Sequence, residues 1–418
     1  MKDIWKNKNF VKLWLGQLVS ILGDQIHFIA LLVLIQNFYG DIVVTGTVMM
    51  ITAIPKVIFS PFAGVLIDRW PLKATMVISD LTRMILVLTI PLLFNTLENP
   101  GMIIIFVITF LISTVSVFFY PAKTASIPTL VEKDKLLTAN SLSGTTQMII
   151  TLLGFLGGAV IVSIIGTTGA FIIDALTFLV SAVFVSLIKY PVKKKEYIEE
   201  ETDKNNIKMY LKELKAGGNY LFNHKLLKFM MFFFISIMLL GGALNILLLA
   251  YIQDVLKLDA SAIGYIFSAN MVGMIMGMVI IPKLSKKYPK EKILIWSAFI
   301  FSFTISSLAW IKFVVLVIPI MIINGLGNGI LNVISNTIFQ ETVQENMRGR
   351  VFSVVDAAVN SAAIISMLPA AWLAKQFGVT NIFLAFGILI FIIAIISLRR
   401  INKLFPNSNY ETINQPIS

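Results

Sequence analysis

Residues 64–77 read GVLIDRWPLKATMV, a charged, proline-containing turn set between two long apolar runs. A second stretch of the same character, GMVIIPKLSKKYPKEKIL, occupies residues 277–294. Working outward, ASIPTLVEKDKLLTANSL at 125–142 faces NTIFQETVQENMRGRVFSV at 336–354 in the same order. Between such breaks lie apolar blocks of about 20 residues, the length that spans ~30 Å of hydrocarbon. Twelve blocks are expected to span: 10–36, 42–66, 74–95, 101–120, 142–165, 169–188, 229–251, 261–281, 292–311, 313–338, 352–374 and 380–398. The duplicated turns sort them into two weakly similar halves of six. That pattern is a parallel repeat, which in transporters places a substrate path between the halves.

Composition agrees with this reading and excludes others. Of 418 residues, 57% are hydrophobic and 13% charged, and mean hydropathy is +0.87, far from the balance of a soluble domain. The absence of Cys and the presence of two His argue against disulfides, thiolate metal sites and an imidazole cluster. No metal and no cofactor is expected. The first block follows basic residues as a signal peptide would, but it is too long, holds Gln17 and Asp24, and lacks a small-residue cleavage site, so it is expected to be retained.

The net charge of +12 could suggest nucleic acid, but its placement points to membrane topology. With alternate loops assigned to opposite sides, one side has only Lys257, Lys312 and Lys375. Lys56 and Arg83 fall within spans, and every other Lys and Arg of the 34 lies on the second side. That asymmetry puts both termini in the cytoplasm and leaves no need for a nucleic-acid partner. The expected organisation is a six-helix bundle over 1–190, a cytoplasmic linker over 191–228, a second bundle over 229–400 and a cytoplasmic tail over 401–418. Within the linker, Leu211, Leu214, Leu221 and Leu226 keep helical spacing, which predicts an amphipathic helix on the membrane surface.

At 64–73, a Gly, an acid, a base and a following base form a pattern that resembles the loop motif of the major facilitator superfamily. Gly64, Asp68, Arg69 and Lys73 match it, while Pro71 stands where a second Gly is usual and Ala74 where a further base is common. The stretches 120–131 (YPAKTASIPTLV), 139–142 (ANSL), 173–178 (IDALTF) and 348–353 (RGRVFS) narrow the resemblance to the drug:proton antiporter branch with bacterial macrolide-efflux and enterobactin-exporter-like permeases. The resemblance covers nearly the whole chain. It implies an all-α fold of twelve membrane helices in two pseudo-symmetric bundles, a bacterial cell membrane, a monomer, alternating access, and export of amphipathic molecules against protons. Two departures stand out. The fifth span has Gly157-Gly158 without the Gly-Pro pair of the antiporter motif, and the fourth span has no Arg. Proton coupling must then use other residues.

Ionisable groups within spans are costly unless paired or wet, so each is a candidate: Asp24, His27, Lys56, Asp80, Arg83, Asp174 and Asp356. Asp24 lies roughly 21 Å and Lys56 roughly 15 Å from the cytoplasmic ends of their helices, a depth match that would allow a midplane pair. Gln17, Asp24 and His27 share one helix face, which belongs inside the bundle. The pair reads either as a fixed ion pair or as a substrate and proton site. Asp80 and Arg83, three apart, are expected to pair with each other or with Asp68 and Arg69 as a cytoplasmic gate. Asp356 is placed in the first turn of its span, as a helix-end charge or a part of that gate. Asp174 reads as structural and Lys123 as a topology signal. In the tenth span Asn324, Asn328, Asn332 and Asn336 recur every fourth residue among glycines, either as interhelical hydrogen bonds or as the wall of a wet path. The run Met271, Met274, Met276 and Met278 reads as core packing or as an adaptable apolar surface.

An exporter of amphipathic small molecules, macrolide-like drugs among them, leads. A siderophore or endogenous metabolite exporter is the alternative within transport, and a non-transporting receptor or scaffold the alternative outside it. An enzyme is disfavoured because neither HExxH nor an Asp-rich motif occurs, and ATP-driven transport because GxxxxGK[ST] is absent.

Overall fold

The computed structural model describes residues 4–67, 70–97, 101–132, 135–190, 206–344 and 347–404. Their regular structure is helical: α1 (Lys8–Tyr39), α2 (Ile42–Ile67), α3 (Leu72–Thr96), α4 (Met102–Leu130), α5 (Leu136–Ser186), α6 (Asn206–Asn223), α7 (Lys225–Gly241), α8 (Leu244–Asp254), α9 (Ile263–Leu284), α10 (Lys290–Leu308), α11 (Val314–Thr342), α12 (Arg348–Phe377) and α13 (Val379–Leu404). Asn7 accepts from the Phe10 amide at 3.1 Å to start α1, and Pro71 and Pro289 stand at the N-caps of α3 and α10, where a missing N–H costs nothing.

Among the described residues eleven segments are long and apolar enough to cross a membrane, α7 and α8 together forming one of them. The segment within α5 makes two crossings. Gly166, at φ +72° and ψ 179°, breaks the helical path between the fifth and sixth blocks, a conformation that a side chain would strain. The crossings therefore number twelve, as the apolar blocks require. The seventh block departs from a single rod: it is broken at Gly241-Gly242 into α7 and α8. A Cβ on Gly242 would lie 2.6 Å from the Ala363 Cα of α12, so the break lets two backbones approach.

The chain clusters into two compact units. One is Met1–Glu213 with Leu258–Ser268, the other Leu214–Lys257 with Ala269–Ser418. The small excursion at 258–268 joins the first unit because Gly264 presents no side chain to the Phe155 carbonyl, 2.5 Å from where its Cβ would be, and Phe267 stacks on Phe28.

Helix α3 shows how a membrane helix is sorted. Ile78, Ile85 and Leu92, seven apart, are 62%, 58% and 62% exposed, a stripe fit for lipid. Its buried face holds Thr75, Ser79, Asp80 and Arg83 beside Met76, Val87 and Ile90. Polar groups go inward because hydrocarbon offers them no partner. At the basic end of this unit, Phe10, Leu13, Met76, Phe119, Ile127 and Val185 form an apolar plug.

The linker helix is α6, and it stops at His224, whose extended backbone caps the next helix. Leu226 thus belongs to α7 and not to the amphipathic helix. Leu221 is fully buried in the second unit, and a Cβ on Gly217 would sit 2.5 Å from the Arg350 carbonyl. One face of α6 is therefore covered by protein rather than by membrane.

Candidate functional site

The first unit holds a buried group of ionisable side chains carried by α1, α3, α4 and the second limb of α5. Helix α1 packs along both limbs of α5 because a glycine clears each contact, on α5 in the first limb and on α1 against the second. A Cβ on Gly158 would lie 3.2 Å from the Ile26 Cα. On the other side a Cβ on Gly23 would stand 2.0 Å from the Thr177 hydroxyl and 2.6 Å from Asp174 Oδ1. This contact places Asp174, fully buried, against α1. His27 Nδ1 lies 3.0 Å from Asp174 Oδ2. The contact has ion-pair distance but not hydrogen-bond alignment, since both atoms lack a hydrogen-bond partner. The His27 ring meets Phe171 edge-on at 5.2 Å, and the Thr177 hydroxyl donates to the Asp174 carbonyl at 2.7 Å.

Asp80 and Arg83 pair with each other, both essentially without exposure. The Arg83 guanidinium lies 4.4 Å from the Phe119 ring centroid and 4.3 Å from that of Phe178, so two aromatic faces and a carboxylate replace its hydration. Asp80 Oδ2 and Arg83 Nε keep unused hydrogen-bonding capacity. Asp24 is within electrostatic reach of Arg83, Asp174, His27 and Asp80, and Tyr120 and Lys123 are within reach of Asp24. Gln17, two turns from Asp24 on the same helix, is buried with its Nε2 unpartnered. With Trp14, Lys123, Ser143 and Thr146 it lines a cavity of about 20 Å³, room for about one water.

The expected Asp24–Lys56 pair does not form. Lys56 is exposed on α2, and the charges that reach Asp24 come from α3, α4 and α5 as well as its own helix. Equal depth was a necessary condition, but azimuth decides, and α1 turns its polar face toward α5 rather than α2. Asp174 and Lys123, read as structural and as a topology signal, join the cluster instead. The available clue to Asp174 was its spacing of three from Thr177 on an otherwise apolar helix.

Gly64 lies in α2, while Asp68 and Arg69 fall outside the described residues. Lys73 Nζ donates to the Ile188 carbonyl at 3.0 Å. Asp356 is exposed and sits in the third turn of α12, because that helix begins at Arg348 and has no acid in its first turn. A helix-terminus role for Asp356 is thus removed.

The second unit resolves the asparagine stripe. Asn324 accepts from Asn270 Nδ2 at 3.0 Å and donates to Thr304 Oγ1 at 2.8 Å, tying α9, α10 and α11 together. The backbones of α9 and α11 touch: a Cβ on Gly325 would lie 1.8 Å from the Asn270 carbonyl. Asn328 is half-buried, and Asn332 and Asn336 are exposed, hydrogen-bonding within their own helix. Asn324 is a packing residue by this geometry, and the outer part of the stripe is what remains free to meet a solute. Met274 packs its backbone on Gly329, whereas Met276 is 44% exposed.

A family profile described as Major Facilitator Superfamily matches residues 13–367 and 231–409. Macrolide efflux protein A of Streptococcus pyogenes is 26% identical over 94% of this chain and 95% of that protein. BacE of Bacillus amyloliquefaciens, named as a candidate bacilysin exporter, is 27% identical over 99% of each chain. YkuC of Bacillus subtilis, an uncharacterized transporter of the same type, is 27% identical over 57% of this chain and 56% of its own length. Among solved structures, the nucleoside transporter NupG superposes with a TM-score of 0.72 at 15% identity over 94% of this chain and 98% of its own. A bacterial homologue of the iron transporter ferroportin reaches 0.71 at 16% identity, covering 93% and 98%. At such identities the two structures report on fold alone. Relatives and fold alike are those of transporters, not enzymes.

Proposed function

The chain belongs to the Major Facilitator Superfamily, and from that premise we propose that it is a secondary active exporter of amphipathic small molecules, driven by proton antiport and working by alternating access. It is a multi-pass membrane protein; the basic loops favour a bacterial cell membrane orientation with both termini in the cytoplasm.

The observation that carries the reading is the charge count of the buried cluster. Asp24, Asp80 and Asp174 face Arg83 and the half-buried Lys123. With every carboxylate ionised and His27 neutral, one negative charge is left over in a bundle that solvates it poorly. One proton taken up by the cluster restores balance. Arg83 and Asp80 are locked by two aromatic rings and by each other, so the exchangeable proton is assigned to the part of the cluster around Asp24. Asp24 is the one half-buried carboxylate of the three and so the one placed to meet solute. Outside, the cluster takes up the proton and substrate leaves; inside, the proton leaves and substrate is admitted. Because the cluster holds the proton or admits substrate but not both, inward proton flow drives uphill export.

Lys56 stays on the pathway on its own account. It lies near the middle of α2 and is exposed, and an ammonium at that depth belongs to water rather than lipid. Gln17, Asn328 and Asn332 are the polar groups left to orient substrate, and Gly64, Asp68, Arg69 and Lys73 form the cytoplasmic gate. Substrates of the macrolide type are the first choice from the similarity to macrolide efflux protein A. The full-length similarity to BacE supports an endogenous metabolite as the second.

The test is efflux of a panel of cationic and neutral amphipaths from proteoliposomes with an imposed pH gradient. Wild type should export uphill and lose this with an uncoupler, and Asp24→Asn should retain downhill exchange alone. Uncoupler-resistant export, or normal uphill export by Asp24→Asn, would defeat proton coupling through this cluster.

A further inference from the structure

Where α6 meets α7 the second unit carries a basic and aromatic patch that transport does not use. On α7 the exposed residues are Lys225, Lys228, Phe232 and Leu239, spaced three, four and seven apart and hence on one face. The opposite face, including Leu227, Met230, Phe234 and Ile237, is buried. Phe222 of α6, 45% exposed, meets the half-exposed Phe232 edge-on with ring centroids 6.3 Å apart. Lys215 of α6 is exposed as well. Neither Lys225 nor Lys228 has an ion-pair partner among the described residues.

This sequence of groups along α7 matches the order of groups in a phospholipid. Two ammonium groups come first, then, about 6 Å further along the helix from Lys228, the aromatic pair, and then the exposed Leu239. Lysines at a span end reach for phosphate, aromatic rings settle at the headgroup boundary, and Leu faces acyl chain. The patch is also held in place. Leu221 is buried, Gly217 packs on the Arg350 backbone, and the Tyr220 hydroxyl accepts from the Gln344 amide at 3.4 Å. Helix α6 therefore presents Phe222 from a fixed position. The α7 N-terminus has no side-chain cap, which adds positive potential on the same side.

We propose that the α6–α7 junction is a binding site for an anionic phospholipid, with Lys225 and Lys228 on the headgroup phosphate and Phe222 and Phe232 against the glycerol and upper acyl region. The site discriminates by headgroup charge. Zwitterionic lipid carries a choline that the two lysines repel, whereas phosphatidylglycerol leaves the phosphate charge unbalanced and open to both.

The test uses the full-length protein, incubated with equal amounts of phosphatidylglycerol and phosphatidylcholine and analysed for retained lipid by native mass spectrometry. Wild type should retain phosphatidylglycerol in preference. Lys225→Gln with Lys228→Gln should lower that preference about thirtyfold, the equivalent of ~1 kcal/mol for each lysine near an anionic surface. Lys225→Arg with Lys228→Arg should keep it, as should the control Lys286→Gln with Lys287→Gln, and inorganic phosphate should not displace the lipid. Equal retention of the two lipids by wild type, an unchanged preference in the Gln pair, an equal loss in the control pair, or displacement by inorganic phosphate would each overturn the assignment.

Discussion

Gly23 stands between Asp24 and the helix that carries Asp174, and replacing it with Ala tests whether close packing positions the cluster. The new Cβ would lie 2.0 Å from Thr177 Oγ1, 2.6 Å from Asp174 Oδ1 and 3.0 Å from Thr177 Cβ. Ordinary contact begins near 3.4 Å, so the hydroxyl must retreat by about 1.4 Å and the carboxylate by about 0.8 Å. Turning χ1 of Thr177 gives little relief, because one rotamer brings its methyl where the hydroxyl was and in every rotamer Thr177 Cβ stays 3.0 Å from the new Cβ. The hydroxyl's bond to the Asp174 carbonyl is then lost, at about 1 kcal/mol, and overpacking adds about 1–3 kcal/mol. A destabilisation of roughly 2–4 kcal/mol follows. Moving the carboxylate also lengthens the 3.0 Å contact to His27. Purified Gly23→Ala should melt earlier by tryptophan fluorescence, and the part that folds should export poorly against a gradient. Thr177→Ala, which removes the nearest obstacle, should restore most of the stability in the double variant. If Gly23→Ala has wild-type melting and wild-type uphill export, α1 does not depend on contact with α5 to place Asp24.

Three further outcomes are expected. In a double-mutant cycle, His27→Gln and Asp174→Asn should each destabilise by about 1–3 kcal/mol, with the double variant losing less than their sum, since one partner alone leaves a buried polar group unmatched; additivity in melting measurements would mean that the 3.0 Å approach carries no energy. Asn324→Ala should cost about 1–2 kcal/mol by freeing Asn270 and Thr304 while leaving the substrate preference of the transporter unchanged, and a shifted substrate profile would instead place Asn324 in the path. Burial holds the His224 imidazole below its ordinary value near 6.5. The unfolded chain then binds more protons than the folded one, so thermal stability should fall as pH drops below about 6.5, and His224→Asn should flatten that slope. An unchanged slope would show that His224 gains no charge on unfolding.

The twelve crossings, the two halves and the separation of basic from neutral loops could all be read in the sequence. Each depends on apolar length and on where Lys and Arg fall along the chain, and a bilayer enforces both without reference to any neighbour. The pairing of Asp80 with Arg83 could be read too, because three residues on one helix fix their own distance. Partnerships across helices were a different matter. Helical spacing ranks residues by depth and by face, but which helix covers that face depends on where side chains are missing. Gly23 and Gly158 bring α1 against α5, and that choice gave His27 to Asp174, brought Lys123 to the cluster and left Lys56 exposed. The same holds for Asn324, whose partners on α9 and α10 follow from the backbone contact at Gly325. The one-dimensional pattern specifies what must be kept from lipid; only three-dimensional close packing, through atoms the glycines lack, decides which buried charge meets which.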